Sequence, residues 1–182
     1  AQFRLFFTGQ VMGWGFCYGY DPAGEGRVAA EQVRALNLDA YGFNCESVFE
    51  RQPNAESRAS DMLAAYRLLA PNTPTYYISW PLFRNPYPDG NNAGWHYDRV
   101  AKNAMVYCNY AMPMIYYPNS GAYWAKFWLE NSIKQWRDLV TDKPIIPVGR
   151  LYTGDGGVCT PDGIEAFGKD VREKYKLSGE SW

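Results

Sequence analysis

Apolar residues recur along this chain with two different spacings. Positions three and four apart predict helices over residues 27–36, 57–70, 97–104 and 122–140, and a last helix begins at Thr160 and Pro161. Short apolar or β-branched runs predict strands over residues 11–20, 38–46, 75–80, 105–117 and 143–152. Helices that alternate with strands, without repeats or a linker, are typical of a parallel α/β domain.

The strand predicted over residues 38–46 has two unlike faces, because successive side chains of a strand point to opposite sides. One face is bulky and mostly apolar, as expected beneath helices, and consists of Asp39, Tyr41, Phe43 and Cys45. The other face begins with small residues and ends with Asn44 and Glu46. In parallel α/β proteins the carboxyl ends of strands carry active sites, so this pair is a candidate site. The alternative for Glu46 is structural: it caps the next helix or pairs with an arginine.

Two parallel α/β folds fit this pattern, an open doubly wound sheet and a (β/α)8 TIM barrel. No G-x-G-x-x-G or phosphate loop follows the first strand, which disfavours a nucleotide-binding open sheet. We therefore expect the barrel, which typically needs about 250 residues. Since the chain has 182, the prediction is one partial domain over residues 1–182. It would hold about six βα units, lack the first strands, and be a piece of a longer chain.

Composition excludes several classes of function. The 18 basic and 19 acidic residues give a net charge of −1, which argues against a nucleic-acid partner. No apolar run is long enough to span a membrane. Four cysteines lie far apart in sequence and are interpreted as small buried residues, not as disulfides or a zinc site. The single histidine, His96, rules out a multi-histidine metal site and disfavours histidine-assisted nucleophilic catalysis. We predict no metal and no cofactor.

Aromatic residues are unusually frequent, with 7 Trp, 15 Tyr and 9 Phe. Most aromatic side chains fill cores, which is their ordinary role. Many here stand near predicted strand ends or in the long loop of residues 81–95, and rings in such places suit the flat apolar faces of sugars. Trp80, at the end of a predicted strand, is one such candidate.

The segment from Asp39 to Glu46 resembles the Asp-Gly-x-Asp-x-Asp-x-Glu motif of the family 18 glycoside hydrolases, the chitinase family. Asp39 matches the first Asp and Glu46 matches the catalytic Glu. Gly42 and Asn44 replace the two other aspartates. An Asn-x-Glu pair is similar instead to the family 85 endoglycosidases, which also act through the acetamido group of the substrate.

The resemblance extends to later strands. Where family 18 has Met-x-Tyr-Asp on its sixth strand, this chain has Met114-Ile115-Tyr116-Tyr117, with Tyr117 in place of Asp. Trp182 corresponds to the Trp that lies under the sugar at the eighth strand. The layout is also similar to hydrolase-like barrels in minor tail proteins of actinobacterial phages. These likenesses imply a carbohydrate partner, an extracellular or virion-associated location, and a place among other chains of a large assembly.

The resemblance also implies roles for individual residues. Glu46 would be the general acid that protonates the leaving oxygen, while Asn44 and Tyr116 hold an acetamido group for internal attack. A substrate without that group requires a second carboxylate, for which Asp155 is the first candidate and Asp21 the next. The predicted substrate-binding residues are Trp80, Trp182, Asp39, Tyr152 and Asp21. The expected activity is hydrolysis of a cell-surface polysaccharide with N-acetylated sugars. The alternative is an inactive glycan-binding or architectural domain, for example in a phage tail tip.

Overall fold

The computed structural model describes residues 12–87, 96–117, 121–154 and 157–181. Within these ranges the chain forms four β-strands and six α-helices. The strands are β1 Met12–Cys17, β2 Ala40–Cys45, β3 Thr75–Ser79 and β4 Tyr110–Pro113. The helices are α1 Pro22–Leu36, α2 Ser47–Glu50, α3 Ala55–Leu69, α4 Asp98–Tyr107, α5 Ala122–Leu139 and α6 Pro161–Lys169. A π-helical turn, Asp170–Lys174, continues α6.

The four strands form one parallel sheet in the order β1-β2-β3-β4. The expected alternation of strands and helices is therefore present, but the TIM-barrel prediction is wrong. A barrel closes only when its first and last strands pair, and no such pairing occurs within the described ranges. The sheet is open.

The strand predicted over residues 143–152 is reduced to isolated bridges. Ile145 pairs with Ala111, and Val148 pairs with Met114 and with Ser181. The physical reason is that Pro144 and Pro147 have no backbone N–H, so a regular ladder cannot run through them.

The two faces of the sheet are covered differently. Tyr41, Phe43 and Cys45 of β2 are buried in one large core together with side chains of the helices, as the alternation predicts. Ala40 belongs to a second, smaller cluster on the opposite face, with Tyr76, Met112 and Ile146. None of the members of this second cluster comes from a described helix, so the described helices pack on the other side of the sheet.

Some element boundaries differ from the sequence prediction. The strand predicted over 105–117 begins too early, because Met105 to Tyr107 are the last turn of α4 and β4 starts at Tyr110.

Thr160 and Pro161 do begin α6, but the Thr160 hydroxyl does not cap its own helix. It accepts a hydrogen bond from the Gly121 N–H at 3.2 Å and so fixes the start of α5.

Helices α1 and α3 are in close contact at Gly26. A Cβ atom built on Gly26 would lie 2.0 Å from the carbonyl oxygen of Met62 and 3.1 Å from the nitrogen of Tyr66. Both are backbone atoms, so the two helices are in direct main-chain contact. Only the absence of a side chain allows this approach.

Candidate functional site

A cavity of about 440 Å³ opens at the carboxyl ends of the strands. Its walls come from the segments that follow β2, β3 and β4, from His96, two positions before α4, and from α5. The lining residues are Glu46, Trp80, Pro81, Leu82, His96, Met114, Tyr116 and Trp128. Its position follows the general rule for ligand sites in open parallel sheets, and its size is that of a small-molecule site, roughly 300–1,000 Å³.

Asn44 and Glu46 form a hydrogen-bonded pair at this end of β2. The Asn44 Nδ2 atom donates to Glu46 Oε1 at 3.0 Å. Asn44 is 9% exposed, and its Oδ1 atom is buried without a hydrogen-bond donor among the described residues. A buried acceptor without a donor costs free energy, which is one mark of a functional position.

The structural alternative for Glu46 does not match its contacts. Glu46 does occupy the N-cap position of α2, but its side chain makes no capping hydrogen bond. None of the ion pairs found within the described ranges includes it. Its carboxylate instead lines the cavity beside Asn44.

Tyr116 is held in the cavity wall by a buried cation. The Arg150 side chain is fully buried, and its guanidinium carbon lies 5.6 Å from the centre of the Tyr116 ring and 5.4 Å from that of Tyr152. The two tyrosine rings meet edge to face at 6.0 Å. Arg150 also donates to the carbonyl oxygen of Gly154, which ties this cluster to the loop that follows. Tyr152 therefore lies next to Tyr116, although it is not among the described residues that line the cavity.

Trp80 lines the cavity, but one face of its indole is already covered. The imidazole of His96 stacks on it with ring centres 3.8 Å apart and an angle of 9° between the planes. The backbone carbonyl of Trp80 accepts a hydrogen bond from the Trp136 indole N–H at 3.1 Å. His96 therefore takes up one stacking face of Trp80, and Trp128 is a second indole in the wall.

His96 is a site residue that the sequence analysis missed. Its Nδ1 atom lies 3.0 Å from Oε2 of Glu50, whose side chain is only 5% exposed. Sequence reasoning set histidine chemistry aside because the chain has one histidine. Its carboxylate partner is 46 positions away, on a short helix that the hydrophobic pattern did not predict. The one signal in the sequence was Glu50, an acidic residue shortly after the end of a predicted strand.

Other predicted site residues are not brought to the cavity. Asp39 is exposed at the amino end of β2, so the strand separates it from Glu46. Asp21 accepts a hydrogen bond from the Gly24 N–H at 3.0 Å and caps α1, which is a structural role. Asp155 and Trp182 lie outside the described residues.

Tyr117, which replaces the strand-six Asp of family 18, points away from the cavity. It is fully buried, and burial raises the pKa of its hydroxyl. A Cβ atom built on Gly163 would lie 3.0 Å from that hydroxyl oxygen, so the side chain reaches toward α6. Among the described lining residues, Glu46 is the one carboxylate.

Comparison with protein-family models and with curated proteins gives no match for this chain. The resemblance to glycoside hydrolases therefore stays a prediction from a few residues. In the described part of the chain, no group of three or more His, Cys, Asp and Glu side chains is placed to hold a metal ion. Of the helices described above, none combines the length and apolar character needed to cross a membrane.

Proposed function

We propose that the cavity binds an N-acetylated sugar of a polysaccharide and that the domain hydrolyses its glycosidic bond with Glu46 as the general acid. The observation that carries this proposal is the Asn44–Glu46 pair, a carboxylate and a buried amide joined at 3.0 Å at the carboxyl end of β2. A glycosidase needs a carboxylic acid at such a position to protonate the leaving oxygen.

The neighbouring groups match an N-acetylated sugar. Asn44 supports the acid from behind the wall, because its Nδ2 atom donates to Glu46 Oε1. The Tyr116 hydroxyl, in the wall of the same cavity, can donate to the acetamido oxygen. Trp80, Trp128 and Met114 supply apolar surface for the ring faces. When the bond from C1 to the leaving oxygen breaks, that oxygen takes the proton of Glu46.

The test is Glu46→Gln, which keeps the size of the side chain and removes the acid. Turnover of a soluble chitin oligosaccharide should fall about 10²–10⁴-fold, the usual contribution of one general acid. Binding of the oligosaccharide should change little, because the aromatic walls remain. A matched control is Glu56→Gln on α3, a partly exposed carboxylate paired with Arg99 and absent from the cavity lining, which should keep full turnover. Equal turnover by wild type and Glu46→Gln would contradict the proposal.

A second candidate is a domain that binds a glycan without cleaving it, for example as part of a larger assembly such as a phage tail tip. The presence of one carboxylate among the described lining residues, with Tyr117 turned away, favours this reading. Calorimetric titration separates the two functions. Equal binding by wild type and Glu46→Gln, with no hydrolysis by either, supports the binding domain.

A further inference from the structure

We propose that His96, oriented by Glu50, is the general base that activates the attacking water, which gives hydrolysis in one displacement with inversion at C1. The inference rests on the proposed function, since it assigns a second reacting group to the same cavity. It also removes the need for a second carboxylate or for attack by the acetamido group.

The contact with Glu50 fixes which nitrogen of His96 is free. A carboxylate only accepts hydrogen bonds, so the Nδ1 atom at 3.0 Å must carry the proton. In the neutral imidazole the Nε2 atom is then an unprotonated acceptor. His96 is one of the residues that line the cavity, and its side chain is 26% exposed. A base held by a carboxylate in this way is the arrangement on which histidine catalysis depends.

The ring plane of His96 is fixed as well. The imidazole lies flat on Trp80 at 3.8 Å between ring centres. The backbone of Trp80 is in turn held by the Trp136 indole. An imidazole held by a hydrogen bond at one edge and by stacking on one face is pre-organised, which is what a catalytic group needs.

The acid and the base are supported by the same short helix. Glu46 stands at the N-cap of α2, and Glu50 is the last residue of that helix. The Glu50 N–H donates to the Glu46 carbonyl oxygen at 3.0 Å, so one helical turn sets their relative positions. The same short helix therefore positions Glu46 directly and His96 through its contact with Glu50. Both Glu46 and His96 line the cavity.

The proposed step balances. A water oxygen forms a bond to C1 as the bond from C1 to the leaving oxygen breaks. Glu46 gives its proton to the leaving oxygen, and His96 Nε2 takes a proton from the water. Both groups return to their starting states when the proton moves from His96 through solvent to Glu46. No oxidant, reductant or metal is needed.

The competing explanation is that His96 and Glu50 form a purely structural pair that joins α2 to the chain before α4. The variant that separates the two is His96→Asn. Its amide N–H can still donate to Glu50, but it cannot take a proton from water. Turnover should fall about 10²–10⁴-fold with unchanged oligosaccharide binding.

Glu50→Gln tests the positioning role: it should lower kcat with little change in KM and shift His96 away from the Nδ1-protonated tautomer.

The readout is nitrogen NMR of the imidazole, which is unambiguous because the chain has a single histidine. We expect the Nδ1-protonated tautomer in the wild type. A soluble chitin oligosaccharide added to the Glu46→Gln variant should shift the Nε2 resonance. The first product released by the wild type should have the inverted anomeric configuration.

Each other result overturns the inference in a recognisable way. An Nε2-protonated ring, a product of retained configuration, or full turnover by His96→Asn shows that His96 is not the base. If the wild type hydrolyses the oligosaccharide but the ligand shifts no resonance of His96, the proposed function stands and the role of His96 is wrong. If it shifts no resonance of the protein, the proposed function fails and the role of His96 fails with it.

Discussion

Replacing Gly26 by Ala should destabilise the fold even though alanine is the better helix former. The new Cβ atom would lie 2.0 Å from the Met62 carbonyl oxygen, whereas ordinary contact begins at 3.4 Å. Because the obstacle is backbone, α1 must move away from α3 by more than an ångström. That movement opens gaps among the small and apolar side chains between the helices, which include Ala30, Val33, Ala59 and Leu63.

The size of the effect follows from two opposing contributions. Gaps of methyl size cost about 1 kcal/mol each, and overpacking of a close contact costs about 1–3 kcal/mol. The gain in helix propensity is about 1 kcal/mol. The net loss should be about 2 kcal/mol, and in a domain of this size that lowers the Tm by roughly 4–8 °C.

Chemical denaturation followed by tryptophan fluorescence measures this loss as a shift of the midpoint at constant slope. The control is Gly179→Ala, since a Cβ atom there would meet nothing within 4 Å. Its stability should stay within about 0.5 kcal/mol of the wild type. If Gly26→Ala proves as stable as the wild type, the main-chain contact between α1 and α3 does not limit the packing.

Two further predictions follow from buried ionisable groups. Burial raises the pKa of Tyr41, Tyr66 and Tyr76 from 10.0 to about 12, so the unfolded state loses these protons first. The free energy of unfolding should therefore fall between pH 10 and pH 12, and less steeply in Tyr76→Phe; a flat profile would contradict this. Three of the four cysteines are buried, and burial raises the pKa of Cys108 to about 12. A thiol reagent should therefore modify the native protein first at Cys159. The Cys159→Ser variant should lose the fast phase of the modification reaction, which the release of the reagent's chromophore measures.

The sequence predicted those features that depend on the residues of a single strand or helix. The alternation along β2 predicted that Tyr41 and Phe43 face the helices. Successive side chains of a strand point to opposite sides, so the bulky apolar set must be the buried set. The same period placed Asn44 and Glu46 together at the strand end. The start of α6 at Pro161 was predicted from local backbone preferences alone.

The sequence was not informative where distant segments meet. Closure of a sheet depends on pairing between its first and last strands, and no pattern within a strand encodes that pairing. The pairing of His96 with Glu50 joins residues far apart in sequence, so neither residue alone indicated it. Around Pro144 and Pro147 the apolar run favours a strand, and the missing N–H groups of the two prolines oppose it and prevail in the fold.

The cavity is assembled from five separate stretches of chain, which are Glu46, residues 80–82, His96, residues 114–116 and Trp128. An unfolded chain has no such arrangement, so a molecule that fills the cavity binds the native state alone. At a concentration 100 times its dissociation constant, it would add about 2.7 kcal/mol to the stability of the whole domain. The supply of that molecule would then govern how often the chain opens to proteases, and so how long each copy of the protein persists.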